Sequence, residues 1–91
     1  MVDYVRVVVD DLLRFTSECF VRYGVPKEDA DLIADHLVLA NLRGVDSHGV
    51  IRIPYYGEGI KKGYVKAVSE FRVVRDGVTT AVVDGGNGLG I

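Results

Sequence analysis

The chain has 91 residues, 48% of them hydrophobic and 26% charged, with a net charge of −2. That is one small folded unit rather than a disordered chain, and its core is thin, because a chain this size buries only about 60–65% of its unfolded surface. The charge balance excludes a strongly basic nucleic-acid-binding face, and a single cysteine, Cys19, excludes an intrachain disulfide framework or a multi-cysteine zinc site.

In chain order, Val5–Val9 is a β-branched run bounded by acids and predicts a short strand. Asp10 and Asp11 then suit the positive end of a helix dipole. Leu12, Phe15, Thr16, Cys19, Phe20 and Tyr23 form one helical stripe, with Gly24 as its stop. Pro26, Glu28 and Asp29 open a second helix whose stripe is Ala30, Ile33, Ala34, Leu37 and Val38; Arg43 and Gly44 close it. Two such helices joined by Gly24-Val25-Pro26 predict an antiparallel pair. Asp46 or Ser47 is placed to cap the next element. Val50–Lys62 has weaker helical spacing, and Pro54 marks a kink or a helix start. Phe71–Arg75 and Val78–Val83 read as strands joined at Asp76-Gly77, a strong two-residue hairpin signal.

The predicted class is therefore α+β: a short strand, three helices and a β-hairpin, part of a larger mixed α/β enzyme. Residues 1–66 read as a helical domain and residues 67–91 as the truncated start of a β-containing cofactor and substrate domain. Four of the eleven glycines fall in the last seven residues, and an apolar strand running into such a turn reads as the front of a longer protein. The longest apolar stretch, Leu32–Ala40, is far short of a membrane span and holds Asp35 and His36. The lack of a disulfide fits a reducing, cytoplasmic setting.

Several features invite a chemical reading. Gly85-Gly86-Asn87-Gly88-Leu89-Gly90 follows a strand as a phosphate loop would, but G-x-G-x-x-G fails at Ile91, so a tight turn is the simpler reading. His36 reads as a surface histidine without metal partners, Cys19 as a small core residue, and Lys61-Lys62 as a solvated helix end. Tyr55-Tyr56 fits a pocket, a core or a subunit contact. The densest constellation is Asp46-Ser47-His48-Gly49-Val50-Ile51-Arg52. It gathers a hydroxyl, an imidazole that exchanges protons near neutral pH, and a guanidinium fork that matches a carboxylate. His48 and Arg52 are four apart; in a helix, at about 6 Å along the axis, they would reach one small 2-hydroxy or 2-oxo acid together. A hydrolytic triad is disfavoured because Asp46, Ser47 and His48 are consecutive. A capped turn carrying a surface arginine accounts for the same residues without any chemistry.

Leu42–Tyr56, with its core D-S-H-G-V-x-R, closely resembles the N-terminal signature of the malate/L-lactate dehydrogenase family with the non-Rossmann fold. That family includes sulfolactate and ureidoglycolate dehydrogenases, 2,3-diketogulonate reductase and piperideine-2-carboxylate reductase. The resemblance continues through Gly24-Val25-Pro26, Lys61-Lys62-Gly63 and Val83-Asp84-Gly85 to Gly90. It implies a cytoplasmic, homodimeric oxidoreductase that uses NAD or NADP on small 2-hydroxy acids, 2-oxo acids or cyclic imino acids. It implies further that Ser47 and His48 are catalytic, in a relay with a distant aspartate, and that Arg52 binds the substrate carboxylate. In the ureidoglycolate branch the acid/base role has gone to a histidine further along. The family runs well past three times this length, so the 91 residues alone are expected to be inactive. A non-catalytic helical interaction module is the alternative.

Overall fold

The computed structural model describes residues 5–91. Helix α1 spans Val9–Arg22, α2 Lys27–Leu42 and α3 Ile53–Lys61; two single 3₁₀ turns, Asp46–His48 and Val50–Arg52, lie between α2 and α3. Strands β1, Arg72–Asp76, and β2, Ala81–Asp84, come next. Each helix ends at a glycine with positive φ, at +98° for Gly24, +79° for Gly44 and +82° for Gly63, where a side chain would be strained. Pro54 lies in the first turn of α3, so it starts that helix rather than kinking one.

The buried face of α2 is the predicted one: Ala30, Ile33, Ala34, Leu37 and Val38. The face of α1 is rotated from its predicted stripe. Thr16, Ser17 and Phe20 are buried, whereas Phe15 is 59% exposed and Leu12, Cys19 and Tyr23 are half-buried. What lies opposite decides this. The Ser17 hydroxyl donates to the Asp31 carboxylate of α2, and Lys27 Nζ reaches both Ser17 Oγ (3.2 Å) and Asp31 Oδ1 (2.6 Å). A buried hydroxyl with a partner is a stable contact, and it turns Phe15 outward. Ser17 meets Asp31 early in α2, while Leu12 shares a groove with Val38 and Leu42 at its far end, so the two helices run antiparallel.

Phe20, Val25, Ala30, Ile33, Leu37 and Leu89 form the core, with Val50, Ile53, Tyr56 and Ile60 packed against it. The helices come very close at Gly57, where an added Cβ would lie 2.1 Å from Tyr23 Cζ. Leu89 enters this core from the far end of the chain. Its path is set by the glycine-rich turn, where Lys66 N–H donates to Asn87 C=O at 2.9 Å.

Two expectations fail. Residues 5–8 form no strand and Val9 already belongs to α1; among the described residues no strand pairs with this β-branched run, and an unpaired run has no ladder to bond. The hairpin does not turn at Asp76-Gly77. Its tip is Val78-Thr79, closed by Gly77 N–H to Thr80 C=O at 2.7 Å, and Asp76 pairs with Ala81. A turn at Asp76-Gly77 would set Arg72 opposite Ala81 and leave Asp84 far from it. The later tip pairs them, with a bulge between Val73 and Arg75, and brings Asp84 within 3.8 Å of Arg72. Every residue of β1 and β2 is exposed, so no buried face fixes the register. The bare hairpin also accounts for the elongated shape: the radius of gyration is 15.1 Å, against about 12 Å for a compact chain of this length.

Leu37 is only 3% exposed, so Leu37→Ala should cost roughly 2–5 kcal/mol in chemical denaturation; a loss under about 0.5 kcal/mol would place it at the surface. The hydrogen bonds from Lys27 and then Ser17 hold the Asp31 carboxyl below its ordinary value of 3.8. A lowered folded-state value means that this link stabilises fully above 3.8 and fades as pH falls through the lowered value. The stability gap between wild type and Asp31→Asn should therefore be widest near neutral pH and close in acid.

Candidate active site

Once α2 ends at Gly44, the chain makes two short turns rather than one helix. Gly49 separates them, with φ −97° and ψ −148°, so His48 and Arg52 do not share one helical face as their spacing predicted. They are tied together differently. Arg52 Nε donates to the Ser47 carbonyl at 2.8 Å, and Ser47 Oγ lies 2.9 Å from His48 Nδ1. The three predicted site residues are thus brought together, by hydrogen bonds centred on Ser47.

This arrangement has chemical consequences. A hydroxyl both donates and accepts, so Ser47 can serve either protonation state of the imidazole: it donates to a bare Nδ1 and accepts from a protonated one. Nε2 is left as the nitrogen that faces outward chemistry. Among the described residues Arg52 bonds Ser47 through Nε alone, so both terminal nitrogens can make a planar two-point contact with a carboxylate. Its guanidinium carbon sits 5.5 Å from the ring centroid of Tyr55, a cation–π distance. Tyr55 is exposed, whereas its neighbour Tyr56, 5.8 Å away edge-on, packs against the core. Ser47 and His48 are both exposed.

Neither Asp46 nor Ser47 caps a turn. The Asp46 carboxylate instead accepts from Asn41 Nδ2 at 2.9 Å, so it does not join a triad with its two neighbours. Ser47 and His48, although adjacent, do meet, without the third member that a hydrolytic triad would need from Asp46. Asn41 is a site residue that sequence reasoning misses. Nothing in its local pattern marks it, and only its place at the end of the buried stripe of α2 hints that it faces the loop.

The remaining candidates lie elsewhere. His36 is exposed on α2 and Cys19 is a half-buried free thiol. The glycine-rich turn is a tight turn closed on itself: Gly86 N–H donates to Asp84 Oδ1 at 2.9 Å and Gly88 N–H to Gly85 C=O at 3.1 Å. Those two amides are already bonded within the turn. None of the helices among the described residues is long and apolar enough to cross a membrane.

If Ser47 holds the imidazole, Ser47→Ala should move the His48 ring nitrogen resonances toward those of the exposed His36, with His36 itself unmoved. Unchanged His48 signals would show that the contact does not persist in solution.

Comparison with known proteins agrees with the site's sequence signature. The family model described as malate/L-lactate dehydrogenase matches residues 7–91. The malate dehydrogenase of Pyrococcus horikoshii is 47% identical over 88 residues, covering 97% of this chain and 24% of that protein. Its solved structure superposes with a TM-score of 0.92 over 99% of this chain and 26% of that one. The ureidoglycolate dehydrogenase (NAD(+)) of Escherichia coli K12 is 39% identical over 67 residues, 74% of this chain and 19% of that protein. The structure of delta1-piperideine-2-carboxylate reductase from Pseudomonas syringae pvar. tomato is 30% identical, with a TM-score of 0.84 over 96% of this chain and 26% of that one. The chain therefore spans about a quarter of the length of these relatives. Over that quarter, this chain belongs to the malate/L-lactate dehydrogenase family.

Proposed function

We propose that these residues form the substrate-holding and proton-handling edge of a nicotinamide-dependent oxidoreductase acting on a small 2-hydroxy or 2-oxo acid, or a cyclic imino acid. The observation that carries this reading is the convergence of Ser47, His48 and Arg52 on one exposed loop. It is supported by relatives named as malate dehydrogenase, ureidoglycolate dehydrogenase and piperideine-2-carboxylate reductase. One of those names specifies NAD(+); NAD and NADP both remain within the reading. Residues 67–91 open the cofactor and substrate domain, the whole enzyme is a cytoplasmic homodimer, and a carboxylate downstream of Ile91 completes the relay.

When bound, the nicotinamide supplies or takes the hydride at substrate C2. The work of this chain is different. Arg52 grips the carboxylate with its two terminal nitrogens and so fixes where C2 lies, which is the positional part of catalysis. His48 takes the hydroxyl proton in oxidation, or gives one in reduction, through Nε2. Ser47 holds Nδ1 throughout and keeps the ring oriented.

The test is a chimera in which residues 1–91 replace the matching segment of the Pyrococcus horikoshii malate dehydrogenase. In an active chimera, Arg52→Lys keeps charge but loses the fork. It should mainly raise KM, by about 10–150-fold for a lost charge-assisted bond. His48→Ala should mainly lower kcat, by about 10²–10⁴-fold. His36→Ala should change neither. A His48→Ala chimera with near-normal kcat across pH 6–9 would move the proton role to a residue outside this chain.

A further inference from the structure

The loop that carries Ser47 and His48 has almost no apolar anchoring of its own, since residues 42–48 are all exposed. Yet its position is fixed at both ends by one side chain. Asn41, in the last turn of α2, donates from Nδ2 to Asp46 Oδ1 at 2.9 Å and accepts at Oδ1 from the Val50 backbone N–H at 2.9 Å. Those two partners bracket Ser47-His48-Gly49. They also fix which way the amide points. Asp46 has only acceptors to offer and Val50 N–H only a donor, so one orientation satisfies both and the flipped one satisfies neither.

Gly49 completes the device. It is buried, and a Cβ built on it would lie 2.3 Å from Asn41 Oδ1. The loop backbone therefore lies directly on the Asn41 amide, closer than any side chain at residue 49 would allow. Asn41 itself sits one turn beyond the buried Leu37 and Val38 of α2. The Asn41 amide in this way carries the packed face of the helix pair to the Asp46–Val50 stretch, beyond the backbone bond from Val45 N–H to Ala40 C=O at 2.8 Å.

We propose that Asn41, with Gly49 as its contact surface, is a positioning residue for His48: its two hydrogen bonds hold the Asp46–Val50 loop in the conformation that sets Ser47 Oγ against His48 Nδ1. The catalytic meaning of this rests on the proton role proposed for His48. The positioning itself does not, because it concerns only geometry within this chain.

The test is nuclear magnetic resonance on the 91-residue chain, without substrate or cofactor, read at three places. These are the exchange rate of the Val50 amide, the His48 ring nitrogen resonances and, as a measure of the fold, the amides of Ile33 and Leu37. In Asn41→Ala the Val50 amide should exchange on the order of 3–10-fold faster, the scale of one lost hydrogen bond. The His48 ring signals should move toward those of His36, reproducing the shift of Ser47→Ala, while Ile33 and Leu37 stay within about twofold of wild type. Gly49→Ala should do the same from the loop side with α2 untouched, which answers the question if Asn41→Ala fails to fold. Asn41→Asp keeps the acceptor for Val50 but sets a second carboxylate beside Asp46, so at pH 7 it should leave Val50 protected and still release His48. His48 ring signals unchanged in Asn41→Ala or, where that variant does not fold, in Gly49→Ala would overturn the proposal. A changed His48 signal beside a chimera in which His48→Ala costs no kcat would leave the positioning standing and remove the proton role.

Discussion

One packed face organises this chain: the Ala30, Ile33, Leu37 side of α2, closed over Phe20 of α1. Everything chemically interesting lies after α2 and is poorly buried, so it depends on where that helix ends. The face is small, and Ser17, Lys27 and Asp31 lock its rotation from the outside with a linked set of hydrogen bonds. Turned by one residue, α1 would bury Phe15 and break that set. Along the same helix the order of events is packing first, then the glycine stop at Gly44, then a loop tied back to α2 by the Val45 N–H bond to Ala40 C=O and by the side chain of Asn41.

The site built on this support is sparse in a way that suits transfer chemistry. Ser47 serves two purposes with two atoms: its carbonyl holds Arg52 and its hydroxyl holds His48, while its own position is fixed by the neighbours that Asn41 grips. A serine suits this because a hydroxyl accommodates either protonation state of an imidazole. Arg52 is held at Nε and steadied over Tyr55, which offsets its ordering cost before a ligand arrives.

Much of this was legible in the sequence, and the reasons it was or was not are physical. The buried stripe of α2 could be read because Pro26 and Gly44 bracket a clean helical period. Ser47, His48 and Arg52 stood out because a hydroxyl, an imidazole and a guanidinium fall within six residues, in a stretch that matches the family signature D-S-H-G-V-x-R. Their actual connection was not legible, since the break at Gly49 replaces a helix face with backbone hydrogen bonds. The hairpin tip was misplaced because Asp76-Gly77 is a strong local signal, yet the ladder out to Asp84 and the return past Lys66 outweigh it. Val5–Val9 has strand composition but, among the described residues, no strand paired with it. Asn41 was invisible because its partners lie five and nine residues away, across a turn that no periodicity describes.

The most direct test of the central claim is a crystal structure of a family-length enzyme carrying these 91 residues, with its nicotinamide cofactor and a 2-oxo acid bound. The expected result has the terminal nitrogens of Arg52 on the ligand carboxylate, Nε2 of His48 within hydrogen-bond distance of the C2 oxygen, and Ser47 still on Nδ1. A ligand carboxylate held by other residues, with His48 turned away from C2, would contradict it.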